Sequence, residues 1–90
     1  ILVNQKISSI EELKKDLESL DSVDVAEKRL EMYRIFEKML NLVDCSNMEE
    51  LKEKRSGYLY KLSQEFLLNS KTFEKKKKLE QILEFLEDQA

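Results

Sequence analysis

At 90 residues the chain is long enough for one hydrophobic core and too short for two. Its 41% apolar and 39% charged residues, with the two signs interspersed, suit a helical domain with solvated faces rather than a disordered segment. A net charge of −3, no histidine and one cysteine argue against an overall cationic field for nucleic acid, histidine-based general-base or zinc chemistry, and an internal disulfide.

No apolar run approaches the ~18 residues that a membrane span needs. The lone Cys45 points to a reducing setting, cytoplasmic or nuclear. The chain opens on Ile1 and reads as a fragment of a longer protein, carrying one domain over residues 1–90.

The apolar spacing predicts an all-α, antiparallel bundle of three to four helices. Residues 1–7 form an apolar lead-in. Ser9 and Glu12 then make a capping box for a helix over about 9–20, striped by Ile10, Leu13, Leu17 and Leu20. Asp21, Ser22 and Asp24 supply a turn and the acceptors for a second helix, over about 23–44. Its apolar set is wide, comprising Ala26, Leu30, Met32, Tyr33, Phe36, Met39, Leu40 and Val43, and this places it centrally, against two neighbours. Ile35 and Leu42 lie off that face. Met32, Met39 and Met48 read as core filler, with an adaptable binding groove as the alternative.

Cys45, Ser46 and Asn47 make a short connection that favours antiparallel packing. Asn47 and Glu50 repeat the capping box for a third helix, over about 48–68, with Met48, Leu51, Tyr58, Leu59, Leu62 and Phe66 inward. Gly57 interrupts it at a cost of roughly 1 kcal/mol relative to alanine. A fourth helix, over about 72–88, has Phe73, Leu79, Ile82, Leu83 and Leu86 as core candidates. Lysines 75–78 crowd its start and carboxylates its end, against the helix dipole, so it needs tertiary packing or a partner. That lysine run reads as a solvated face partly neutralised by Glu74, Glu80 and Glu84; a phosphate-gripping strip flanked by Phe73 and Phe85 is the alternative.

Catalytic machinery is not legible. The only glycine rules out a phosphate-cradling loop, and adjacent carboxylates such as Glu11 and Glu12 point about 100° apart on a helix and cannot share a substrate. The Glu-x-x-His pairs of a di-metal bundle are absent. The expectation is a non-enzymatic protein-interaction module with no cofactor and no metal.

Arg55 falls on or beside the apolar stripe of helix three, where it either snorkels along the core edge or reaches a partner carboxylate. Asp44 holds a similar place at the end of helix two, and the two could pair internally or face one partner. Tyr58 is either core or an interface residue, with Tyr60 at the edge. Glu37 and Lys38 complete the partner-binding set of Asp44, Arg55, Tyr58, Lys38 and Glu37.

Within residues 31–67, YRIFEKMLNLVD followed by LKEKRSGYLYKLSQEFL resembles the last two helices of a BAG domain. Asp44 takes the place of that family's closing aspartate and Arg55 of its partner-binding arginine, while Ser56 stands where the family has lysine and Arg34 where it has glutamate. The resemblance implies a three-helix bundle that binds the Hsp70 ATPase domain and promotes nucleotide exchange, a co-chaperone role. IFEKMLNLVD, LKEKR and the apolar positions of helix four are also similar to a KIX domain. That likeness implies a receptor for an amphipathic partner helix in transcription. A structural assembly domain is the third reading.

Overall fold

The computed structural model describes the backbone of residues 2–54 and 57–89, and the side chains of residues 8–54 and 57–88. The fold is an all-α bundle: α1 Leu2–Ser19, a 3-10 turn Leu20–Ser22, α2 Val25–Leu42, α3 Met48–Lys54, α4 Gly57–Leu68 and α5 Thr72–Gln89. The third expected helix is described as two segments, α3 and α4, on either side of residues 55 and 56.

The first helix starts seven residues earlier than the capping box suggested, and Ser9 lies inside it. Residues 2–8 contain no glycine or proline to stop a helix from running through them. The next two starts are set by local acceptors. The Asp24 side chain accepts from the Glu27 amide at 3.0 Å, and Asn47 Oδ1 accepts from the Glu50 amide at 2.9 Å. The return bond of the second box is shifted by one residue, because the Glu50 carboxylate takes the Ser46 amide and hydroxyl instead.

α2 ends in a Schellman motif. The Cys45 amide donates to Leu40 O at 3.0 Å and the Asp44 amide to Asn41 O at 3.1 Å, which puts Asp44 in the left-handed region at φ 57°. Leu40 and Cys45, the apolar pair this motif favours, are both buried.

Cross-helix pairs give the directions. Lys14 pairs with Glu87 and Asp21 with Lys76, so α1 and α5 are antiparallel. Glu65–Lys78 and Tyr58–Phe85 do the same for α4 and α5. Arg29 reaches Ser70 and Thr72 while Tyr33 meets Lys75, so α2 and α5 run parallel. α5 packs on α1, α2 and α4 and is the central helix, in place of α2. Leu79, Ile82, Leu83 and Leu86 form its buried stripe. This is the tertiary packing that its unfavourable charge order demanded.

The core otherwise holds Ile10, Leu13, Leu17 and Leu20 from the first arm, Met32, Ile35, Phe36, Met39 and Leu40 from α2, and Leu51, Leu59, Leu62 and Phe66 from α3 and α4. Ile35 is inside, whereas Ala26, Leu30 and Tyr33 are exposed. The apolar face of α2 is thus rotated towards Ile35, with α1 packed on α2 and Phe66 of α4 meeting Tyr33 and Phe36. Phe73 is 70% exposed, and Lys75, two places on, is 3% exposed. Position 75, not 73, is in register with Leu79 and Ile82.

Candidate functional site

Lys75 is the joint from which the candidate surface is built. Its ammonium donates to Phe66 O at 2.8 Å, to Leu67 O at 3.4 Å and to the Tyr33 hydroxyl at 3.1 Å. It also faces the rings of Phe66 and Tyr33 at 4.7 and 5.0 Å. A buried charge is tolerable only when so many dipoles meet it. Two of those acceptors are carbonyls at the α4 C-terminus, where a cation is favoured.

The rest of the lysine run is also committed. Lys76 bonds Asp21 at 2.8 Å, Lys78 bonds Glu65 at 2.7 Å, and Lys77 lies over Phe73 at 5.6 Å. Lys76 and Lys78 are tied to neighbouring segments and Lys77 lies over a ring of its own helix, which corrects the expectation of a solvated face partly neutralised by Glu74, Glu80 and Glu84. The Lys76 and Lys78 partners hold the Asp21 and Glu65 carboxyls below their ordinary range, and hydrogen bonds from Ser46 do the same for Glu50.

The Lys75 joint draws together the N-terminal half of α2, the end of α4 and the start of α5. Arg29 reinforces it through Ser70 O at 2.7 Å and Thr72 Oγ1 at 3.4 Å. Phe66 stacks on Phe36 at 4.9 Å and meets Tyr33 edge-on at 5.5 Å. Apolar side chains around this crossing stay uncovered: Leu30 is 55% exposed, Tyr33 39%, Leu67 36% and Leu68 77%. Along α2 the stripe runs Ala26, Leu30, Tyr33, Glu37, and along α4 it runs Tyr60, Gln64, Leu67, each at spacings of three and four. α2 and α4, each packed on α5, approach one another at Tyr33 and Phe66, and this crossing is the α2–α4 seam.

The residues expected to bind a partner are distributed differently. Glu37 is exposed on α2, four residues after Tyr33. Lys38 points elsewhere, to Asp16 of α1 at 3.4 Å, and lines a furrow of about 280 Å3 between α1 and α2. Asp44 is exposed at the α2 C-terminus. Tyr58 is 54% exposed and stacks on Phe85 at 5.2 Å, so it is an edge residue rather than core, while Tyr60 is half-buried with Lys52 over its ring. Arg55 lies outside the described residues. Cys45 is buried in its turn, and Met32 and Met39 are core.

A second furrow, of about 410 Å3, runs between α1 and α5 over Leu17 and Leu83, with the pairs Lys14–Glu87 and Lys76–Asp21 in its walls. Among the described residues no three carboxylate or thiol groups gather into a metal-binding cluster, and no helix is long and apolar enough to cross a membrane. The uncovered residues Leu67 and Leu68 escaped sequence reasoning, because a pair of leucines at a helix end fits either a core or a contact.

Comparison with protein-family models, curated proteins and solved structures finds no match.

Proposed function

We propose that this chain is a non-enzymatic protein-interaction module that receives an amphipathic helix of a partner in the α2–α4 seam. The observation that carries this reading is the exposure of Leu30, Tyr33, Leu67 and Leu68 on helices that Lys75 and Phe66 bridge. Exposed apolar side chains grouped on a preformed surface are the mark of a docking site. A partner helix would meet them with anchors at i, i+3, i+4 and i+7.

A co-chaperone that grips the Hsp70 ATPase domain is the second reading. It is favoured by the exposure of Glu37 and Lys38 in the last half of α2 and of Asp44 just beyond its end. It would act by holding the open state of its partner, through differential affinity rather than bond chemistry.

Photo-crosslinking separates the two. A benzophenone amino acid is placed singly at positions 30, 67, 38 and 44, and adducts are collected from cell extract. The seam reading expects one partner captured from positions 30 and 67 and not from 38 or 44. Capture from 38 and 44 alone, with Hsp70 as the adduct, would replace it with the second reading.

A further inference from the structure

We infer that the partner helix carries a glutamate or aspartate among its apolar anchors, and that this carboxylate accepts a hydrogen bond from the Tyr33 hydroxyl at the α2–α4 crossing. This rests on the seam reading and adds the polar group that the occupant brings. Lys75 is the one charged side chain buried among the described residues. Everything its ammonium touches is neutral: the Phe66 and Leu67 carbonyls, the Tyr33 hydroxyl oxygen and the faces of two rings. No carboxylate among the described residues pairs with it, whereas Lys76 and Lys78 in the same helix hold Asp21 and Glu65.

Tyr33 connects this unneutralised charge to the surface. Its oxygen accepts from Lys75 at 3.1 Å, so its own O–H is left to donate, and that hydrogen has no acceptor among the described residues. The residue is 39% exposed, which leaves it open to a partner. A hydroxyl that accepts from a cation is polarised and becomes a stronger donor. A carboxylate oxygen at hydrogen-bond distance from Tyr33 Oη would stand about 5 Å from the ammonium, near enough to be attracted by it in a partly dry contact. Selection is then made by one hydrogen bond at one point, and it does not depend on the balance of charge over the surrounding surface. A glutamine in the partner would take the hydrogen bond without the charge assistance, and a leucine would take neither.

The test uses two designed amphipathic peptides of about four turns, alike but for one position in the middle of a leucine face, glutamate in one and glutamine in the other. Each is titrated into the isotope-labelled chain and followed by NMR. An apolar contact without this donor would favour glutamine, because a carboxylate costs more to desolvate. The expected result is shift changes at Leu30, Tyr33 and Leu67 with both peptides, movement of the Tyr33 Cζ signal chiefly with the glutamate peptide, and about fivefold tighter binding of that peptide. In Tyr33→Phe, which keeps the ring, the preference for glutamate should vanish. Seam shifts with equal affinity or a preference for glutamine in the parent, a Cζ signal that moves equally with both peptides, or a preference for glutamate that survives in Tyr33→Phe would overturn this inference and leave the seam reading standing. Shifts confined to other surfaces, or no shifts with either peptide, would overturn both.

Discussion

Lys75 is a buried charge whose one ammonium meets groups on α2 and α4 from a position in α5. Lys75→Met keeps the stem's packing and removes the charge. We expect a loss of about 2–3 kcal/mol, read as a lower urea midpoint with an unchanged slope. A change within about 0.5 kcal/mol would mean that water replaces the ammonium. Asp44 makes the opposite case. It occupies a left-handed position that glycine takes without steric cost, so Asp44→Gly should stabilise by about 0.5–1 kcal/mol in the same assay. A destabilised glycine variant would show that the aspartate side chain earns its place in the fold. Ser63 is buried at 1% with its hydroxyl unpaired among the described residues, so Ser63→Ala should be neutral or stabilising by up to about 1 kcal/mol.

At the scale of elements, the bundle is tied together by lysine–carboxylate pairs that α5 makes with the α1–α2 turn and with α4. Asp21, Glu50 and Glu65 are held below the ordinary carboxylate range, so near pH 4 the folded chain binds fewer protons than the unfolded one. Their contribution is therefore complete at neutral pH and is lost as pH falls through the folded values. With no histidine in the chain, stability should be level between about pH 5 and 8. Urea midpoints across that range and down to about pH 2.5 check both statements. Asp21→Asn/Glu65→Gln should show a shallower acid fall than the parent. An equally steep fall would place the acid sensitivity in other carboxylates.

What the sequence made legible at this scale was whatever depended on neighbours in the chain. Asp24 and Asn47 cap helices because a short acceptor stands before an apolar period. The α1 start was misplaced because a capping box inside a continuous stripe does not end it. The central helix was misassigned because α2 carries more apolar residues than it buries. Leu30 and Tyr33 look like core by type, and only the position of α1 and Phe66 decides that they are not. The role of Lys75 was hidden by its neighbours. Four lysines in a row read as one solvated face, although a turn of helix sends each in its own direction. Of the residues expected to bind a partner, Glu37 and Asp44 are exposed while Lys38 turns to Asp16 and Tyr58 to Phe85, since spacing along one helix does not say which neighbour each face meets.

At the scale of the molecule, α5 packs on α1, α2 and α4, and the proposed contact surface is the seam between α2 and α4. Apolar residues that lie outside the core contribute little to folding, and the proposed reading gives them a partner to bind. The measurement that tests this most directly is made on Leu30→Gln/Leu67→Gln/Leu68→Gln. Its urea unfolding and its capture of the partner found by crosslinking at position 30 are compared with the parent. The expected result is stability within about 1 kcal/mol of the parent and partner capture lost. Full capture by a variant of unchanged stability would contradict the seam as the docking surface, and a loss of more than about 3 kcal/mol would show that these side chains belong to the fold.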